Sequence, residues 1–152
     1  MQGIENDSLA PISESGRAVQ KEINAYLRAK GYVPTQIWHS PVLRAQQTAE
    51  LIGEDFQVPL QPELSLSEYF DELDILNKLA QAPDNSTIFL VSHGPQLFRL
   101  SGFLIGYTLL KSPLQNSSAL VLEFQDKVVA GAARYVELFT SHDAKLHKGK
   151  LF

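Results

Sequence analysis

The chain has 152 residues, no cysteine, 20% charged residues and a formal net charge of -4. That length supports one domain with its own core and is short for two, while the missing thiols exclude disulfides, a thiol nucleophile and thiolate metal sites and suit a reducing, cytoplasmic setting. The acidic balance argues against a nucleic-acid surface, no signal peptide opens the chain, and the longest apolar run, Leu97 to Leu110, is broken by Arg99 and falls short of a bilayer span. A soluble protein without nucleic-acid or membrane partners is expected.

Along the chain, helix and strand patterns alternate. Ser13 caps a predicted helix through Lys30, with Val19, Ile23, Tyr26 and Leu27 at helical spacing and Gly31 as its stop. Gln36 to His39 reads as a short strand. It runs into a second helix, for which Ser40 is a natural N-cap and Pro41 a natural first residue, with Val42, Ala45, Ala49 and Ile52 as the apolar stripe. Ser65 with Glu68 three residues on forms a capping box for a third helix, carried by Leu73, Leu76, Leu79 and Ala80. Pro83-Asp84-Asn85 is a turn. Thr87 to Ser92 is apolar on both faces, as a central strand covered from both sides requires. A helix from Pro95 to about Ile105 stops at Gly106, and two strands, Ala119 to Phe124 and Val128 to Leu138, flank the turn Gln125-Asp126-Lys127. Residues 139–152 read as a polar tail. The pattern predicts an α/β sandwich, closed by an antiparallel hairpin, without repeats or linkers.

Two junctions carry chemistry. Arg44 falls in the first turn of its helix, where the macrodipole already presents positive charge, so a cation there is favoured by an anion in front of it. Free backbone N–H groups and a guanidinium fork suit a phosphate dianion. The plain alternative is a solvated arginine bending away from the helix end. Ser92-His93-Gly94-Pro95 repeats the arrangement after a second strand, and ligands of open α/β sheets collect at the carboxyl ends of strands. Ser40, Arg44, His93 and Gly94 thus form one candidate phosphate site. A neighbouring anion draws His93 toward imidazolium, able to donate to a transferring phosphoryl group. The alternative for His93 is a half-buried side chain bonded to a loop. His39, next to Trp38, reads as a core or rim residue, and His142 and His147 lie in the tail without a catalytic role.

Ile37 to Ala49 resembles the S-P-x-x-R-A-x-x-T-A motif of the histidine phosphatase superfamily, the phosphoglycerate-mutase-like fold. Val91-Ser92-His93-Gly94 is similar to its second-histidine motif, Leu9 to Gly16 to its R-P-L-T-x-x-G segment, and Asn116 to Glu123 to its late strand. The small size is most similar to SixA-type phosphohistidine phosphatases. The resemblance implies a three-layer α/β sandwich, mostly parallel with an antiparallel C-terminal hairpin. It also implies two-step phosphoryl transfer without metal or cofactor, in which a histidine attacks phosphorus and Arg44 and His93 stabilise the equatorial oxygens. The implied substrate is phosphohistidine on a phosphotransfer protein, or alternatively a small phosphomonoester.

The family's first strand ends in R-H-G, whose histidine is the nucleophile, whereas this chain begins Met1-Gln2-Gly3-Ile4-Glu5, with Gly3 similar to the glycine of that motif. The chain as given is therefore expected to be inactive. A downstream start or truncation, a pseudoenzyme with a phosphate pocket, and a scaffold for phosphoprotein binding remain as explanations. Glu63 and Glu68 lie where larger members place an acid but do not match its motif.

Overall fold

A computed structural model describes residues 10–106, 118–142 and 145–148, with residues 140–142 and 145–148 as backbone only. The N-terminal segment with Gly3, and residue Asn116, lie outside the described residues. Helix α1 (Glu14–Ala29) leads to β1 (Gln36–His39), α2 (Leu43–Phe56), β2 (Leu60–Pro62), a 3-10 turn (Leu64–Leu66), α3 (Glu72–Gln81), β3 (Ile88–Val91), α4 (Gly94–Ile105), β4 (Ser118–Glu123), β5 (Arg134–His142) and β6 (Lys145–Lys148). The strands form two sheets, a parallel one of order β2-β1-β3 and an antiparallel one of order β4-β5-β6.

Strand alternation on β1 builds the layers. Ile37 packs with Ala45, Ala49, Ile52 and Val91 on the α2 side, while Trp38 packs with Ile75, Leu76, Leu100 and Leu104 on the side of α3 and α4. Strand β4 divides likewise, Ala119 and Val121 going to the cluster of α1 and Leu122 to that of α3 and α4. The result is helices on both faces of the strands, the expected three-layer α/β sandwich with an antiparallel hairpin. The apolar stripe of α1 meets Phe139 of β5, with the Tyr26 ring edge-on to it at 4.5 Å. Asn24, buried on α1, donates to Leu51 O at 3.3 Å and Asp55 Oδ2 at 2.8 Å and accepts from Gln20 at 2.9 Å, tying α1 to α2 with a satisfied polar side chain.

Several boundaries depart from the sequence pattern. Helix α3 is capped by Asp71, which accepts from Asp74 N at 3.1 Å, and not by the Ser65–Glu68 box. Ser65 sits in the 3-10 turn and donates its hydroxyl to the Asp74 carboxylate. With the helix starting later, Leu73 is 57% exposed and Ile75 with Leu76 faces the core. Among the described residues β1 is the middle strand of the parallel sheet. Among the described residues β3 pairs on one side only, and three of its four residues are half-buried.

The strand expected from Val128 begins only at Arg134. The preceding loop answers the last carbonyls of α4, Gly131 N donating to Phe103 O at 3.1 Å and Ala133 N to Leu104 O at 2.9 Å. The expected polar tail also contributes structure: β5 runs to His142, and Lys145–Lys148 pairs with it antiparallel. An open strand edge accepts any backbone, so the polar composition of this segment did not reveal its pairing.

That contact at the end of α4 rests on two glycines. Gly106 holds φ +101°, and a Cβ built on it would stand 2.8 Å from the Gly131 Cα. Gly31 holds φ +86° with open space around it. Gly31→Ala should therefore cost about 1 kcal/mol of unfolding free energy, the conformational penalty alone, and Gly106→Ala about 2 kcal/mol or more. Urea denaturation of the two variants tests this, equal losses being the contrary result.

Candidate functional site

Register places the site. β1 and β3 run parallel with His39 opposite Val91, and Ser40 N continues the ladder onto Val91 O at 2.8 Å. The two strands therefore end together, and the chain turns from each into a helix, β1 into α2 and β3 into α4. Each helix starts without a side-chain cap, Val42 being the N-cap of α2 and His93 that of α4, with Pro95 in the first turn. Two uncapped helix N-termini thus open from neighbouring strand ends, an arrangement suited to an anion.

Ser40 is not the helix cap expected from its sequence position. It is sealed from solvent, and its Oγ accepts from Val42 N at 3.3 Å and lies 3.1 Å from His93 Nε2. Arg44 projects from the second turn-residue of α2 as an exposed side chain, off the apolar stripe, as expected. Its charge reaches His93. The imidazole is held below its ordinary value of 6.5, first by burial and then by the Arg44 guanidinium, both of which disfavour a second positive charge. The structure therefore brings Ser40, Arg44, His93 and Gly94 together across 53 residues of sequence between Ser40 and His93.

His39 is buried, its Nδ1 2.8 Å from Ser40 O, in the structural role read from the sequence. Glu63 is buried at the end of β2, where its N–H donates to His39 O at 2.8 Å. Its carboxylate is held by Lys78, which also pairs with Asp74 at 3.1 Å, and by Gln61. Glu68 is exposed and caps no helix. His142 and His147 lie on β5 and β6, with side chains outside the described residues.

Three supporting residues escaped the sequence reading. Gln47, one turn beyond Arg44, accepts from Ile12 N at 2.8 Å and pins the N-terminal segment to α2. Ser92 donates to Leu66 O, fastening the 3-10 turn to the end of β3, and Lys78 holds Glu63. The i+3 offset of Gln47 from Arg44 was the one visible signal. Two clefts lie elsewhere, one of about 230 Å³ beside Gln36, Gln61 and Lys78 and one of about 420 Å³ between Arg17, Gln47 and Leu60. An oxyanion needs converging donors more than volume, so the chemistry is sought at the strand ends.

Residues 4–74 match the model of the histidine phosphatase superfamily, branch 1, a stretch that includes Ser40 and Arg44. Over that stretch the chain is similar to the histidine phosphatase superfamily. His93 lies beyond the matched stretch. The fold is shared with the protein histidine phosphatase SixA complexed with tungstate, at 20% identity, TM-score 0.77, covering 91% of this chain and 88% of that one. It is shared also with YhfR of Bacillus stearothermophilus (16% identity, TM-score 0.67, 86% and 85% covered) and with a mycobacterial glucosyl-3-phosphoglycerate phosphatase (17%, 0.62, 84% and 86%). These are likenesses of fold. No curated protein matches the sequence. Among the described residues no helix is long and apolar enough to cross a membrane.

The electrostatics of the site give a signed expectation. Because folding lowers the proton affinity of His93, the unfolded chain protonates first as pH falls, so the stability tied to neutral His93 is complete above about pH 6.5 and is lost below it. A dianion between Arg44 and His93 opposes both causes and should raise the imidazole value. NMR titration of His93 with and without inorganic phosphate checks the shift, and an unchanged His93 alongside saturable binding would place the anion elsewhere.

Proposed function

We propose that this chain is a phosphatase-fold domain that grips a phosphoryl group between the Arg44 guanidinium, the first amides of α4 at Gly94, and His93, and that the phosphoryl group it recognises is the one carried by phosphohistidine on a phosphotransfer protein. The observation that carries the reading is the Ser40–His93 contact of 3.1 Å, which draws the two strand-to-helix junctions into one donor cluster. The match of residues 4–74 to the superfamily model and the tungstate bound by a protein of the same fold support it. A cytoplasmic location belongs to the same reading, on the cysteine-free composition.

In this mechanism Arg44 binds two oxygens of the phosphoryl group through its fork, and His93 donates to a third as charge develops. An imidazole leaving group needs less protonation than an alkoxide. That suits a site whose nearest buried carboxylate, Glu63, is already committed to Lys78. The runner-up substrate is a small phosphomonoester, as named for the mycobacterial phosphatase of the same fold.

A second reading, a phosphate-binding module without turnover, is favoured by the histidines themselves. Among the residues whose side chains are described, the histidines are His39, buried with its Nδ1 on a carbonyl, and His93, which stabilises charge. Neither is placed as a nucleophile. The 152-residue chain is expected to give no turnover of phosphohistidine or p-nitrophenyl phosphate; turnover abolished by His93→Ala would reveal another nucleophile and overturn this.

Oxyanion binding is expected regardless of turnover. Arg44→Ala should lower tungstate affinity by about two orders of magnitude and Arg44→Lys by about one, because a lysine keeps the charge and loses the fork. Calorimetric titration measures both, and equal affinity in wild type and Arg44→Ala would dissolve the shared site.

A further inference from the structure

Ser40 touches both histidines of the core region. Its carbonyl oxygen lies 2.8 Å from His39 Nδ1, and its hydroxyl lies 3.1 Å from His93 Nε2. A carbonyl only accepts, so His39 carries a proton on Nδ1. The hydroxyl is less constrained at first sight, since it holds one proton and two lone pairs. One lone pair takes the Val42 N–H at 3.3 Å. If His93 Nε2–H filled the other, the hydroxyl proton would have no acceptor among its described partners, in a side chain with no exposed surface. Buried donors left unpaired are the costly arrangement, and the reverse polarity leaves none.

We infer that Ser40 is a positioning residue whose hydroxyl donates to His93 Nε2 and holds the neutral ring in the tautomer protonated on Nδ1, making Nδ1–H the hydrogen bond that His93 offers a bound oxyanion. An imidazole in water favours the opposite tautomer, with its proton on Nε2, so the serine reverses an intrinsic preference. His93 Nδ1 has no protein partner among the described residues and the ring is only half-buried, which leaves that N–H available to a ligand. Both ring nitrogens then have separate tasks, Nε2 anchored inward and Nδ1 facing what arrives. The tautomer follows from the hydrogen bonds alone; the role of Nδ1–H toward a ligand rests on the phosphate site proposed above.

The test is a long-range proton–nitrogen NMR correlation of the four imidazoles in the intact chain, at a pH well above 6.5. In wild type both His39 and His93 should show a protonated Nδ1 and a bare Nε2. A protonated Nε2 on wild-type His93 overturns the proposal without any variant. In Ser40→Ala, His93 should move to the Nε2–H tautomer while His39, held by the backbone carbonyl, stays as it was and reports an intact fold. A His93 that keeps Nδ1–H beside an unmoved His39 would mean that something else sets the tautomer. Ser40→Thr, which retains the hydroxyl, should restore the wild-type pattern.

Tungstate separates this from the phosphate reading. Saturating tungstate should shift the His93 Nδ1–H resonance, and Ser40→Ala should weaken tungstate affinity about tenfold or less, against the larger loss for Arg44→Ala. If the tautomer changes while affinity does not, the oxyanion does not use Nδ1–H. If wild type shows the Nδ1–H tautomer and binds no tungstate, the tautomer lock stands and the phosphatase reading falls.

Discussion

Everything at the candidate site depends on the parallel pairing of β1 with β3 in the register that sets His39 opposite Val91. The ladder extends one step past the strands, through Ser40 N to Val91 O, and so aligns the points at which both chains leave the sheet. A slip of one residue would turn Ile37 and Trp38 to the wrong faces and carry Ser40 out of reach of His93. The register is therefore held by the most fully buried part of the core, where Ile37 has no exposed surface. Core packing and site geometry are one constraint here.

The site is built from groups that would repel or go unsatisfied without a ligand. Arg44 stands at a helix start without a capping carboxylate, and His93 is pressed toward neutrality by that same arginine and by burial. Such a cluster suits an anion, because each of these unfavourable features becomes favourable beside negative charge. The nearby acids do not cancel it. Glu63 is tied to Lys78 and Gln61, Asp74 is held below the usual carboxylate range by Ser65 and Lys78, and Glu72 of α3 pairs with Arg99 of α4.

Around the site, the loops are fastened by backbone accounting more than by apolar contact. Ser92 secures the 3-10 turn, Gln47 secures the segment before α1, and the loop before β5 answers the last carbonyls of α4. Tyr32 adds a distant tie between the end of α1 and β5, its hydroxyl donating to Glu137 so firmly that its proton is held up to about 12. These links keep three surface segments in place around the two short parallel strands.

The local pattern was sufficient for the elements whose signals are short-range. Ser13 caps α1 through Gly16 N as its position predicts, Gly106 ends α4 in a left-handed conformation, and β1 and β3 lie where β-branched and aromatic residues gather. The pairing of Arg44 with His93 was legible because two strand-to-helix junctions carried matching chemistry. Tertiary structure decided the rest. Ser65 was drawn to Asp74 and left the cap of α3 to Asp71, the residues from Val128 were taken by the carbonyls of α4 before a strand could begin, and Lys145–Lys148 became a strand because β5 offered an open edge. Above all, the sequence placed Ser40 as a helix cap or ligand contact, and only the fold turned its hydroxyl onto His93. A side chain near a junction has several satisfiable partners in one dimension. Which of them it meets is decided by burial, which removes water as the default answer.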